Sequence, residues 1–171
     1  MKLFKKKAEF TIMKPTDTDI DACVEMLSSA MGQQAVNKKL LEQTLKAPGI
    51  IVLVGKLKER ITGMITGLTF PFTTQGSPKG RIDFISVPDR ESANKGLYSM
   101  LIDEFIEELK KKIPNAKYVE TNVPTVNSSF VAMYSLKGFT VIGMIKGEDP
   151  RTDIVVLRKS ILKKNPSSYT V

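Results

Sequence analysis

Histidine is missing from this sequence altogether, and cysteine occurs once, at Cys23. Without histidine there is no Ser-His or Cys-His nucleophile pair and no imidazole to ligate a metal, and a lone thiol excludes an internal disulfide and most zinc clusters. The acid and base of any enzyme built on this sequence would be Asp, Glu, Tyr, Lys or water. Cys23 itself falls on the apolar face of a helical pattern with nothing beside it to activate a thiol, and reads as packing. Long apolar runs are missing too. None approaches the length of a bilayer span, and the basic start, Met1 to Ala8, is not followed by the apolar stretch of a signal peptide. The expected setting is the cytoplasm, with no membrane partner.

What is present is an ordinary globular composition. With 171 residues, 42% of them hydrophobic and 26% charged, the chain can bury a real core and is short for two domains, so one domain over 1–159 and a C-terminal tail over 160–171 are expected. Lysine and arginine outnumber aspartate and glutamate 26 to 18, a net charge of +8. The basic residues are scattered at chain ends and turns: Lys5 to Lys7, Lys38-Lys39, Lys56 to Arg60, Lys110 to Lys112 and Lys163-Lys164. No element carries a basic face interleaved with aromatics, so solvated surface is the favoured reading, nucleic acid is not an expected partner, and a basic nucleic-acid-binding protein is the remoter alternative.

Apolar periodicity divides the chain into elements. Phe10 to Lys14 alternates as a strand; Thr16-Asp17 can cap a helix through Ile20, Cys23, Val24 and Leu27; a second helical pattern runs from Val36 to Leu45 and stops at Pro48-Gly49. Ile50 to Val54 and Ile61 to Phe70 read as a hairpin of central strands, with Gly63 and Gly67 marking a bulge or a close approach of another backbone. Pro71 to Gly80 reads as a surface loop and a substrate lid. Then come a strand, Arg81 to Val87; a polar loop through Lys95; a long helix from Gly96 ending in Lys110 to Lys112, cations suited to its C-terminus; and a strand, Lys117 to Val123. Asn127 to Phe139 combines a capping residue, an aromatic pair four apart at Phe130 and Tyr134, and a Gly-Phe exit: a short helix that delivers a tyrosine to a fixed place. Strands Phe139 to Ile145 and Asp153 to Arg158 close the order.

The spacing of Asn127, Tyr134, Gly138 and Phe139 resembles the last signature of the Gcn5-related N-acetyltransferase (GNAT) family, with Phe130 in place of a more usual alanine. The element order from Phe10 to Arg158 is also that family's order. The resemblance implies an α/β (α+β) fold in which helices flank a mixed central sheet, acetyl-CoA as cofactor, and direct transfer of acetyl to a primary amine of a small molecule or peptide. A loop entering a helix N-terminus suits the phosphates of coenzyme A. The family's phosphate window falls on Ala93, Asn94, Lys95, Gly96, Leu97 and Tyr98, where Gly96 alone matches the pattern and Tyr98 replaces a small residue.

In the family Tyr134 would protonate the departing sulfur, Asn127 would contact the cofactor and a carboxylate at Asp83 would serve as base, with Glu120 a second reachable carboxylate. Main-chain amides at Ser86 and Val87 are candidates for holding the thioester carbonyl. Each position has a plainer reading beside it: Asp83 pairs with Arg81 or Lys79 or simply faces solvent, Tyr134 stacks in the core, Asn127 only caps. The departures at Ala93 and Tyr98 keep a non-catalytic acyl-CoA-binding module of the same fold as the alternative. No acidic cluster supports a polycationic acceptor, and a homodimer is left open.

Overall fold

The computed structural model describes residues 10–30, 38–72 and 76–162. Readings that fall on 1–9, 31–37, 73–75 and 163–171, including the first two residues of the Val36 helix, the middle of the lid loop and nearly all of the tail, lie outside the described residues. Seven strands and five helices occur among them: β1 Phe10–Met13, α1 Ile20–Ala30, α2 Lys38–Leu45, β2 Ile50–Leu57, β3 Arg60–Phe70, β4 Lys79–Ser86, α3 Arg90–Asn94, α4 Leu97–Lys112, β5 Tyr118–Pro124, α5 Ser128–Leu136, β6 Thr140–Ile145 and β7 Ile154–Ser160. The expected order of strands and helices is observed, with one addition. The polar stretch after Val87 is not all loop, because Asp89 caps the five-residue helix α3 by accepting from the Ser92 amide at 2.8 Å and its hydroxyl at 2.6 Å.

The chain packs as two compact units, Met1–Thr69 with Ile82–Glu108, and Phe70–Arg81 with Leu109–Val171. In the first, β1, β2 and β3 form antiparallel pairs, Phe10 opposite Leu57 and Val52 opposite Thr66. Strands β2 and β3 are buried on both faces, which is why they read as continuous apolar runs rather than alternating ones. One face, with Val52, Val54 and Met64, packs against Ile20, Cys23, Val24 and Leu27 of α1 and Leu45 of α2. Cys23 is fully buried and its thiol is pushed up to about 11 by burial, in keeping with a packing role.

The other face meets α4. Gly55 and Gly63 lie opposite one another in the ladder; a Cβ at Gly55 would stand 2.6 Å from Leu97 Cδ1, and one at Gly63 3.0 Å from both Leu97 and Val87 and 3.2 Å from the Ser86 carbonyl. At Gly63 both expected options are met, since β3 also holds one unpaired residue, Thr62, where the register shifts, whereas Gly67 pairs in regular register with Ile51. The two glycines let the first turn of α4 and the end of β4 settle close onto the strands.

The entrance to α1 is fixed by a buried ion pair. Asp19 Oδ1 lies 2.8 Å from Lys56 Nζ, and Oδ2 accepts from the Thr16 amide at 2.8 Å and hydroxyl at 2.7 Å. The Lys56 ammonium, foremost, and the Thr16 donors hold the Asp19 carboxyl at about 2, against the opposing pull of burial. A depressed carboxylate adds stability that is complete above its unfolded pKa, near 4, and fades as pH falls through the folded value. Asp19→Asn is expected to cost about 1–2 kcal/mol near neutral pH, with the difference from the native chain closing by about pH 2. Urea unfolding at both pH values reads this; an equal deficit at the two would remove the ion pair as the cause.

In the second unit β7 lies between β5 and β6 in antiparallel register, Thr121 opposite Leu157 and Val141 also opposite Leu157. Helix α5 packs on β5 and β7. The final strand runs to Ser160, beyond the expected Arg158, and the Ile161 amide donates to the Lys117 carbonyl at 3.0 Å.

Candidate active site

In the first unit, Asp83, Ser86 and Val87 follow one another along β4 and its exit. Asp83 is exposed, Ser86 half-buried and Val87 buried, and the Ser86 carbonyl faces Gly63 of β3. Helix α3 then places Ala93 and Asn94 in its last turn and Lys95 at its C-cap, where the Lys95 ammonium lies 2.7 Å from Glu91 Oε1. An open loop over 93–95 is thus not what forms. Gly96 follows with φ +86°, the left-handed conformation that lets α3 stop and α4 start without a spacer, and its carbonyl accepts the Met100 amide at 3.2 Å. Leu97 turns fully into the core and Tyr98 is half-buried. What α4 offers a ligand is therefore its backbone, and a Cβ built at Gly96 meets nothing within 4 Å, so an anion can approach that backbone closely.

The second unit holds Asn127 and Tyr134. Asn127 occupies the N-cap of α5 but at φ −98°, ψ 52° its side chain makes no capping bond; the carbonyl accepts the Phe130 amide at 3.0 Å instead. The expected side-chain cap is replaced by a main-chain one. At the other end the sequence reading holds: Gly138 has φ +81°, the Phe139 amide donates to the Tyr134 carbonyl at 3.0 Å, and the Gly138 amide to Ser135 at 2.9 Å. This pair of bonds is a Schellman ending, whose accompanying apolar contact is supplied here by the Tyr134 and Phe139 rings, edge to face with centroids 5.1 Å apart. Tyr134 is 2% exposed, so its ring is clamped by both the helix ending and the packing.

Glu120 is placed differently from an acceptor of substrate protons. Its side chain is buried between two cations: Oε2 lies 2.6 Å from Lys79 Nζ, and Oε1 accepts from Arg158 Nη2 at 2.6 Å and Nε at 2.8 Å. Burial raises its pKa, but the hydrogen bonds and charge of Lys79 and Arg158 outweigh that and leave it below the usual value. A carboxylate so held is a weak base. It also takes Lys79, one of the partners considered for Asp83.

A cleft of about 450 Å³ that sequence reasoning did not anticipate opens in the first unit beside Ser86, lined by Glu25, Met26 and Ser29 of α1, Ile61 of β3, Ser86 and Pro88. The signal was present. Ala22, Glu25, Met26 and Ser29 recur at i, i+3, i+4 and i+7, a second helical face beside the apolar one. Among the described residues no three His, Cys, Asp or Glu side chains are grouped to hold a metal ion, and no helix is long and apolar enough to cross a membrane.

Comparison with solved structures finds acetyltransferases. The chain is similar to the acetyltransferase of the GNAT family from Streptococcus pneumoniae, at 20% identity and TM-score 0.71, over 90% of this chain and 99% of that one. It is similar to the ribosomal-protein-S18-alanine N-acetyltransferase from Escherichia coli at 16% identity and TM-score 0.69, over 94% and 99%. Arabidopsis thaliana NAA60, solved in complex with acetyl-CoA, matches at 12% identity and TM-score 0.72, over 89% and 98%. No family model and no curated protein matches the sequence. At these identities the likeness establishes the fold, a mixed α/β arrangement of the kind seen in GNAT acetyltransferases.

Proposed function

We propose that this chain, having the fold of the GNAT acetyltransferases, binds acetyl-CoA and transfers its acetyl group directly to a primary amine of a small molecule or peptide, with 1–159 acting as one catalytic domain. The observation that carries the reading is the match of nine-tenths of the chain to acetyltransferases, one of them solved with acetyl-CoA. The left-handed Gly96, with open space above it at the start of α4, suits the close approach of a pyrophosphate.

Acetyl-CoA would supply a thioester whose carbonyl carbon is open to attack. The residues then divide the work. The amides of Ala93, Lys95 and Gly96 donate to the Asp89, Glu91 and Ala93 carbonyls, so the phosphates fall to the main chain of the first turn of α4, at Leu97 and Tyr98, with Ala93, Asn94, Lys95 and Gly96 shaping the approach and Asn127 adding a polar contact. The amides of Ser86 and Val87 hold the carbonyl oxygen and the negative charge that gathers there. An alkyl ammonium has a pKa of about 10.4, so its proton must leave before the nitrogen can attack. Asp83, solvent-exposed and in contact with bulk water, is the carboxylate assigned to receive it, directly or through water. As the C–N bond forms the C–S bond would break: Tyr134 would give its phenolic proton to the departing thiolate, and the proton that the nitrogen sheds on becoming an amide would return through water to the Tyr134 phenolate.

A melting experiment tests the cofactor directly. At 100 times its dissociation constant acetyl-CoA should add about 2.7 kcal/mol, several degrees in Tm for a chain of this length. Coenzyme A release with a panel of amines then separates an enzyme from a non-catalytic acyl-CoA-binding module. No shift at millimolar acetyl-CoA sinks both.

A further inference from the structure

The cleft beside Ser86 has a composition that selects its occupant, given the reading above in which acetyl arrives at the end of β4. Met26, Ile61 and Pro88 make it apolar, Ser29 and Ser86 bring hydroxyls, and Glu25 brings its charge. Other carboxylates of the same unit are matched to cations, Asp19 to Lys56 at 2.8 Å and Glu108 to Lys14 at 3.0 Å. Glu25 makes no ion pair or hydrogen bond among the described residues. On a chain of net charge +8, a carboxylate with no cation beside it among the described residues attracts one from outside when it borders an apolar cleft.

That cation is not the nitrogen to be acylated. Pairing with a carboxylate favours the protonated form of an amine and removes the lone pair that attacks the thioester. We propose that the cleft takes acceptors with two basic centres on one apolar stem: one stays charged at Glu25, the stem lies along Met26, Ile61 and Pro88, and the other is presented, neutral, towards Ser86. A single carboxylate matches one extra charge, which fits the lack of any acidic cluster for a polycation. The same chemistry is offered by a free alkyl diamine and by the two amines of an N-terminal lysine.

Calorimetric titration of the full chain without acetyl-CoA reads the cleft independently of turnover. Cadaverine, aminopentanol and pentylamine each carry an ammonium for Glu25 and are expected to bind about three- to fivefold more tightly than pentanol, the effect of one solvent-exposed ion pair, and the gap should shrink at high salt; with acetyl-CoA added, cadaverine should release coenzyme A while pentylamine, whose one nitrogen is held at Glu25, should release little. Glu25→Gln should abolish the preference and Glu25→Lys should invert it; Glu25 is exposed, so both variants keep the native fold. Amines that bind the native chain no more tightly than pentanol, an amine preference that survives Glu25→Lys, or equal coenzyme A release from pentylamine and cadaverine overturns the proposal. A lysine-first tripeptide that binds as tightly as cadaverine assigns the site to peptide ends, and one that binds more weakly assigns it to free diamines. Melting with acetyl-CoA on the same samples reports on the cofactor alone, so an amine preference without that shift sinks the acetyltransferase reading and not the cleft.

Discussion

Tyr134→Phe is expected to lower kcat about a hundredfold while leaving the dissociation constant of acetyl-CoA within about twofold. The substitution removes one oxygen and keeps the ring, so the edge-to-face contact with Phe139 at 5.1 Å and the Gly138 helix ending both persist. The size of the effect follows from proton affinities. An ordinary phenol, pKa about 10, gives its proton to a thiolate whose conjugate acid has a pKa of about 8.5 at a cost of roughly 2 kcal/mol. The transfer therefore has to accompany C–S cleavage rather than follow it, which places the gain at the lower end of the range for general acids. Single-turnover kinetics with saturating acetyl-CoA measure it. Unchanged turnover takes the acid role away from Tyr134, and a large rise in the acetyl-CoA dissociation constant would show that the residue acts in binding instead.

Glu120→Ala is expected to cost about 3 kcal/mol of folding stability. Removing the carboxylate strands Lys79 and Arg158 beside a buried strand, and such orphaned charges cost about 3–5 kcal/mol when fully buried. The lower end applies because the two partners are about a third exposed, 31% and 38%. Arg158 also lies over the Tyr118 ring at 4.9 Å and retains that contact in the variant. Since the Glu120 pKa lies below its usual value, its contribution is complete above about pH 4 and diminishes as pH falls from there. Urea unfolding gives the number, and Glu120→Gln, which keeps one hydrogen-bonding oxygen, should lose less. If Glu120→Gln folds with native stability and yet loses turnover, the carboxylate belongs to the chemistry and not to the framework.

The sequence carried the order of elements because the central strands and long helices have strong, unmixed periodicities: Ile50 to Val54 is buried on both faces, and Leu97, Leu101, Phe105 and Leu109 line one side of α4. Gly138 was legible for a local reason, as a helix that ends on a left-handed residue calls for glycine whatever surrounds it. Helix α3 was not, because five residues with Ser92 alone buried leave no apolar period to detect. The role of Glu120 was hidden for another reason: its partners lie 41 and 38 residues away, brought close only by strand register. The Glu25 face of α1 was overlooked since small and polar side chains on a helix ordinarily mean solvent.

Gly55 and Gly63 sit in the strands and touch no proposed substrate, yet Leu97 and the Ser86 carbonyl rest directly upon them. Their lack of a side chain sets the height of the platform on which the first turn of α4, proposed to face phosphates, and the end of β4, proposed to face the acyl group, both stand. A methyl group added there raises the start of α4 and the end of β4 at once and by unequal amounts, so under the proposed function a change from beneath cannot separate cofactor hold from acyl alignment. Independent adjustment is available along α1, on the opposite face of the strands, and laboratory evolution of the chain should draw its accepted changes from there while leaving the glycine pair and the left-handed Gly96 untouched.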